Sequence, residues 1–229
     1  MTICRPALVL LVAGGAAWAQ NAPKDREIQE ILMKSSQASA AGDKATVVTL
    51  LETALQKVQK DPGLKEDEPE VLARLGKAYV DAQRYPDAVR TYQVLMESIK
   101  QDCLPGSPRV DRCADGQYGL GTAQMYKGDF AGAATTLRQA IAGYAVLVKG
   151  SVAEDFRMAR LKQQADAQAL LAAALFRTGK KPEAIAAFER AIQEFGTVEK
   201  SPASSDALRT AARASMKDAQ TSLDLLRKN

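Results

Sequence analysis

The sequence predicts an all-α fold, a solenoid of about four helical hairpins stacked in chain order and followed by a C-terminal capping helix. Hydrophobic residues make up 46% and charged residues 25% of the 229 residues, a composition typical of a folded protein. Alanine is abundant and runs rich in β-branched and aromatic residues are scarce, which favours helix. A short turn pattern also recurs four times, each time between two segments with helical hydrophobic spacing.

The recurring pattern is a turn-forming triplet with a small residue three positions after it. In order of decreasing clarity, the copies are Gly128-Asp129-Phe130 with Ala133, Gln83-Arg84-Tyr85 with Ala88, Gly179-Lys180-Lys181 with Ala184, and Gly42-Asp43-Lys44 with Val47. Small residues at a fixed offset let two helices approach closely in each hairpin. A plain helical bundle, which is the alternative fold, does not require this recurrence.

Residues 1–19 have the three-part layout of a secretory signal peptide. Arg5 supplies a positive start, residues 7–17 are apolar and uncharged, and Ala17-Trp18-Ala19 offers small residues for cleavage after Ala19. The alternative is a retained membrane anchor, but the apolar run is shorter than the roughly 20 residues needed to span a bilayer. The sequence therefore predicts an exported chain, in the periplasm if the host is Gram-negative, with no membrane span after cleavage.

The first hairpin is expected near residues 28–61 of a helical domain that covers 24–229. Its first helix should run from about Lys24 to Ala41, where Gly42 ends it. Asp43 can cap the second helix, which extends to about Lys60 and carries one apolar face. The sequence Asp61-Pro62-Gly63 ends that helix.

The second hairpin is expected near residues 69–102. The acidic run at 66–68 complements the dipole of a helix start, which explains it better than an acidic binding patch does. Tyr85-Pro86-Asp87 begins the partner helix, because proline is well tolerated in a first helical turn. The apolar stripes of the two helices are Leu72, Leu75, Gly76 and Tyr79 on one and Ala88, Tyr92, Leu95 and Ile99 on the other.

Cys103 and Cys113 follow the second hairpin, in a segment whose prolines and glycine exclude a continuous helix. Export permits disulfides, and the expected mature chain keeps an even number of cysteines, so the sequence predicts a bond between these two. A redox-active pair is the alternative, but it would favour the Cys-x-x-Cys spacing that is absent here.

The third and fourth hairpins are expected near residues 114–147 and 165–198. Gly150 should end one helix, and Ser151 with Glu154 should form a capping box that opens a long helix over about 152–178. Pro182 marks the start of its partner. Ser201-Pro202 then restarts the chain into a capping helix over 202–228.

Aligned in this way, the hairpins resemble tetratricopeptide repeats. The second repeat matches at Leu75, Gly76, Tyr79, Tyr85, Ala88 and Tyr92, the third at Leu120, Gly121, Gly128, Phe130, Ala133, Leu137 and Ala140, and the fourth at Leu171, Ala172, Leu175, Gly179, Ala184, Phe188 and Ala191. The first repeat is degenerate. The resemblance implies a right-handed superhelix, although the repeats start 41, 45 and 51 residues apart (near 28, 69, 114 and 165) against about 34 in the family.

In this family the first helix of each hairpin lines a concave groove that binds a protein or peptide. The resemblance therefore implies a partner site whose candidate side chains are Lys77, Asp81, Tyr118, Thr122, Met125, Tyr126, Phe176 and Arg177. Met125 and Tyr126 could instead pack between hairpins. Some family members clamp a partner's C-terminal carboxylate with lysines and asparagines, but Asn21 and Asn229 are the only asparagines here.

Histidine is absent, which excludes Ser–His and Cys–His nucleophile pairs and His-ligated zinc. The net charge of +4, with both signs interspersed, gives no reason to expect nucleic-acid binding. The acid pair Glu154 and Asp155 more simply opens a helix than performs acid–base catalysis. We therefore expect a non-enzymatic envelope adaptor that needs no cofactor or metal and binds an unidentified envelope protein or peptide. The alternative is a structural component that forms a homo-oligomer or anchors a larger envelope assembly.

Overall fold

The computed structural model describes residues 18–228, with side chains from Arg26 onward. This part of the chain contains α-helices and two short 3-10 helices, and no strand, which confirms the all-α prediction. The α-helices are α1 (Trp18–Ala40), α2 (Lys44–Lys60), α3 (Glu68–Asp81), α4 (Tyr85–Ser98), α5 (Val110–Lys127), α6 (Phe130–Gly150), α7 (Glu154–Arg177), α8 (Lys181–Lys200) and α9 (Asp206–Lys228). The 3-10 helices cover Pro62–Asp67 and Lys100–Cys103. Residues 1–17 of the predicted signal peptide lie outside the described residues.

The chain divides into two compact units at Val71 and Leu72, within α3. In the first unit α1 packs on α2 around Ile28, Leu51 and Ala54. In the second unit each helix from α4 to α9 packs on the next one in the chain, and α7 also contacts α5 and α9. Contact of α7 with both α5 and α9 is what a solenoid of stacked hairpins requires, and the predicted solenoid is thereby confirmed within the second unit.

All four copies of the turn pattern have the same backbone geometry. Gly42, Gln83, Gly128 and Gly179 have φ angles of 77°, 60°, 92° and 78°, in the left-handed region. In each turn this residue donates its N–H to the carbonyl three positions earlier, and the next residue donates to the carbonyl five positions earlier. These two bonds define the Schellman motif, which ends the first helix of every hairpin.

The small residue of the pattern lies at the contact between the two helices of a hairpin. Ala88, Ala133 and Ala184 are fully buried. In the third hairpin the paired helix approaches so closely that a Cβ on Gly121 would lie 2.7 Å from Cγ of Leu137. A continuous core then extends from α5 to α9, in which alanine alternates with larger side chains such as Leu137, Tyr144, Met158, Phe188 and Phe195.

Some element boundaries differ from the sequence prediction. α1 begins at Trp18, α5 at Val110 and α9 at Asp206, whereas the sequence suggested about 24, 114 and 202. The predicted capping box is wrong. Ser151 is the C-cap of α6 and donates its hydroxyl to the Leu147 carbonyl at 2.7 Å, so it is not available to α7. Ala153 precedes α7 and makes no side-chain cap.

Cys103 and Cys113 form a disulfide in the structure, with sulfurs 2.09 Å and Cα atoms 5.1 Å apart. Cys103 ends the second 3-10 helix, and Cys113 lies in the first turn of α5. The bond thus ties the linker after the second hairpin to the first helix of the third.

Candidate functional site

The second unit contains an open cavity of about 460 Å³, formed by four helices. α5, α7 and α9 line it, and α8 closes its floor. The lining side chains are Tyr118, Thr122 and Tyr126 on α5, Asp166, Ala169, Leu170 and Ala173 on α7, Phe188 and Phe195 on α8, and Ser215, Asp218, Ala219 and Ser222 on α9. The cavity therefore opens between the first helices of the third and fourth hairpins and the terminal helix.

The α5 wall consists of two tyrosines and a threonine. Tyr118, Thr122 and Tyr126 lie on one face of the helix because they are spaced by four residues. The ring of Tyr118 packs edge-on against Tyr144, with centroids 6.4 Å apart. Burial, with a smaller effect from the Asp166 carboxylate, raises the pKa of Tyr118 to about 12. Its phenol therefore stays protonated and can donate a hydrogen bond at neutral pH. Tyr126 stacks on Tyr85 at 5.4 Å and is 56% exposed.

The α7 wall combines small apolar side chains with one carboxylate. Asp166 accepts a hydrogen bond from Lys162 at 2.8 Å, and both side chains are only about a fifth exposed, at 23% and 20%. Burial raises the pKa of Asp166, while Lys162 and the Ser215 hydroxyl act in the opposite direction. Asp166 is thus a desolvated carboxylate with one cationic neighbour.

The α9 wall is polar and the floor is apolar. Ser215, Ala219 and Ser222 follow a spacing of four and three along one face of α9, with Asp218 beside them. Ala219 is buried, whereas Asp218 is exposed. Below them, Phe188 and Phe195 are buried one heptad apart on α8. A side chain that enters the cavity would therefore meet an apolar base and polar edges.

The structure brings three of the eight sequence-predicted partner residues together in the cavity, namely Tyr118, Thr122 and Tyr126. Met125 is partly buried and packs against the core. The remaining four do not line the cavity. Lys77 and Asp81 form an exposed ion pair along α3, with Nζ and Oδ2 2.5 Å apart.

Phe176 and Arg177 lie at the C-terminal end of α7, beyond the cavity lining. Phe176 is 44% exposed. The Arg177 guanidinium lies 4.2 Å above the centroid of the Phe130 ring, an arrangement typical of a cation–π contact. Arg177 therefore connects the C-terminal end of α7 to the first residue of α6 in the structure.

Sequence reasoning missed the acidic side of the cavity. Asp166 lies seven residues, or about two helical turns, before Ala173 on one face of α7, and both line the cavity. That spacing is the sequence signal that could have identified Asp166. The α9 residues carried no such signal, because the terminal helix was expected only to cover the end of the stack. The structure shows that α9 also occupies the position that the first helix of a further hairpin would take.

Among the described residues there is no group of three or more acidic, cysteine or histidine side chains suited to hold a metal ion. No helix in residues 18–228 has the length and apolar character needed to cross a bilayer.

Comparison with known proteins agrees with this geometry. Residues 118–204 match the family model described as Tetratricopeptide repeat. No curated protein matches the sequence. Among solved structures, a variant of a putative kinesin light chain with nearly identical TPR-like repeats from Podosopora anserina is similar, with a TM-score of 0.57, 19% identity, and 88% of this chain and 93% of that chain covered.

Two further structures share the fold. BtubC (BKLC) from P. vanneervenii is 15% identical with a TM-score of 0.53, and the match covers 93% of this chain and 90% of that one. A MamA protein is 19% identical with a TM-score of 0.50, and the match covers 88% and 90%. At these identities the likeness concerns the fold alone.

Proposed function

We propose that this chain, a tetratricopeptide-repeat protein, is a non-enzymatic scaffold of the bacterial cell envelope that binds a partner protein or peptide in the cavity between α5, α7 and α9. Tetratricopeptide-repeat proteins bind protein partners. The observation that carries the proposal is the open cavity of about 460 Å³ on the inner helices of two successive hairpins. Its side chains come from rigid helices, so binding requires little ordering of the site.

The composition of the cavity supports binding more than catalysis. Its polar groups are two carboxylates, two phenols and three aliphatic hydroxyls, and the whole sequence contains no imidazole to act as a general base. Aromatic and small apolar side chains supply contact area, and the polar groups supply direction. This combination is typical of a recognition surface.

The envelope location rests on the signal-like residues 1–19 and is supported by the Cys103–Cys113 disulfide, since disulfides persist in oxidising compartments. We expect protein recovered from the envelope fraction to lack residues 1–19. Cleavage would remove Trp18, which is the only tryptophan, so the recovered protein should show tyrosine emission alone. A recovered protein that has the mass of the full 229-residue chain and shows tryptophan emission would contradict export with cleavage.

Partner capture tests the cavity directly. Thr122→Trp fills the cavity from α5, and we expect it to abolish crosslinking to partners that wild type captures in cells. Thr135→Trp is the matched control, because Thr135 is exposed on α6 of the same hairpin and does not line the cavity. Circular dichroism should show both variants folded. Equal capture by Thr122→Trp and wild type would reject the cavity as the binding site.

A further inference from the structure

We propose that the cavity receives one lysine or arginine side chain of the partner, with its methylene stem on the apolar side chains of α7 and α9 and its charged head beside Asp166 and Asp218. This inference rests on the proposed function, because it names the chemistry that the same cavity recognises.

The charge of the lining carries the argument. The lining includes the carboxylates of Asp166 and Asp218 and no lysine or arginine. Lys162, one turn before Asp166 on α7, neutralises one of the two charges. Asp218 makes no ion pair with any of the residues that the structure describes. The site therefore retains one uncompensated negative charge, which a single cation would match.

The shape of the lining fits a long side chain with a charged end. Ala169, Leu170 and Ala173 on α7 and Ala219 on α9 form an apolar wall against which methylene groups can pack. Lysine and arginine bury such stems on apolar surface and keep the charged head in a polar place. The exposed ring of Tyr126 adds a π face that attracts cations. Short polar side chains would leave the apolar wall uncovered.

Other side-chain classes fit less well. A carboxylate would be repelled by Asp218 and would not be attracted by Lys162, which already pairs with Asp166 at 2.8 Å. A neutral apolar side chain would bury Asp166 further without offering it a hydrogen bond or an opposite charge. Removing a carboxylate from water in this way costs free energy. A cation avoids both penalties, because it can approach the carboxylates while its stem covers the wall.

The experiment measures binding of small probes by amide chemical shifts of the purified protein. The probes are Nα-acetyl-arginine amide, Nα-acetyl-lysine amide and the uncharged isostere Nα-acetyl-citrulline amide. We expect the two cationic probes to shift amides of residues 118–126, 166–173 and 215–222. We expect citrulline to bind about fivefold more weakly or not at all, as for a partly buried charge pair.

Asp218→Asn should weaken binding of the arginine probe by a similar factor. The fold should not change, since Asp218 is exposed. Asp224→Asn, which changes the same charge on α9 outside the cavity lining, should have no effect. Equal binding of arginine and citrulline, or equal loss in both variants, would overturn the inference.

The same variants separate this inference from the proposed function. If Asp218→Asn still captures partners in cells while Thr122→Trp does not, the cavity binds a partner but not through a cation. If the arginine probe binds as expected and wild type captures no protein, the cation site stands and the scaffold function fails.

Discussion

Tyr92 shows how individual glycines set the distance between neighbouring hairpins. Its ring lies against Gly76 of α3 and Gly119 of α5, so one side chain on α4 contacts both flanking helices. A Cβ built on Gly76 would lie 2.7 Å from Cε2 of Tyr92, closer than real contacts allow. The Tyr92 side chain is only 6% exposed, and Gly76 and Gly119 provide the space for its ring.

We expect Gly119→Ala to destabilise the second unit by about 1–3 kcal/mol, because the added methyl group forces the buried ring of Tyr92 to move. The free energy of unfolding from urea titration measures the effect. Gly150→Ala is the control, since nothing lies within 4 Å of the Cβ it would add. That change should be neutral or stabilising by up to about 1 kcal/mol, because alanine has the higher helix propensity. Equal effects of the two substitutions would show that the Tyr92 ring does not pack tightly against Gly119.

Residue-level prediction succeeded where one backbone conformation defines the position. Gln83 fitted the turn pattern although it is not glycine, and its φ of 60° shows that the pattern identified a left-handed position. Prediction failed at Ser151, because a serine between two helices can serve either one. Its hydroxyl donates to the Leu147 carbonyl of the preceding helix, which also accepts the backbone N–H of Ser151. The sequence alone does not indicate whether Ser151 caps the end of α6 or the start of α7.

The linker before α5 is the element most dependent on a covalent bond. Its 3-10 helix, Lys100–Cys103, is too short to be stable alone, and the disulfide holds it to the first turn of α5. The ion pair between Asp102 and Arg112, with atoms 3.9 Å apart, connects the same two segments. Loss of the disulfide should therefore release the start of α5 before the rest of the unit.

Reduction of the disulfide should lower the free energy of unfolding by about 2–3 kcal/mol, because the crosslink restricts the unfolded chain. Thermal melts with and without dithiothreitol measure this loss. The double variant Cys103→Ser, Cys113→Ser should melt like the reduced protein and show no response to the reductant. A wild-type melt that the reductant leaves unchanged would mean that the linker is held by other contacts.

A polar network joins three helices on the side of α5 that faces α6 and α7. The Tyr144 phenol donates to Asp115 at 2.7 Å, and Arg160 approaches the same carboxylate at 3.6 Å. These long-range partners have no sequence signal, since each residue alone resembles an ordinary surface or core position. Together they connect α5 to both α6 and α7.

Three of the six tyrosines make the whole molecule sensitive to alkali. Burial raises the pKa of Tyr92 and Tyr144 far above the ordinary value, with added effects from Asp81 and Asp115, and raises that of Tyr118 to about 12. The folded chain therefore keeps three phenolic protons that the unfolded chain releases above pH 10. Stability is fully present below that pH and is lost as the pH rises through the folded-state values.

We expect the free energy of unfolding to fall with pH above 10 by about 1.4 kcal/mol per pH unit for each of these phenols. Urea titrations at several alkaline pH values measure the slope. Tyr144→Phe should reduce the slope by about one third, since it removes one of the three groups, even though it also lowers stability at neutral pH. An unchanged slope would show that the Tyr144 phenol ionises equally in both states.

At the scale of the whole chain, the repeat pattern was enough to predict the hairpins and their order. Small residues and left-handed turns are local requirements, so the sequence displays them directly. The cavity was predicted only on its α5 side. Its acidic side depends on how α7 and α9 come together, and a contact between residues about fifty apart, such as Asp166 and Ser215, is fixed by packing and not by spacing.

The double role of α9 has a consequence for incomplete chains. α9 buries Ala212, Ala219, Leu223 and Leu226 in the core shared with α8, and an adjoining face that includes Ala219 supplies a wall of the cavity. A product that terminates before residue 206, through early release from the ribosome or through proteolysis, would leave the α8 surface bare and the recognition site open on one side. Under the proposed function, such a truncated chain would bind the partner poorly and would not compete for it with the chain that contains α9.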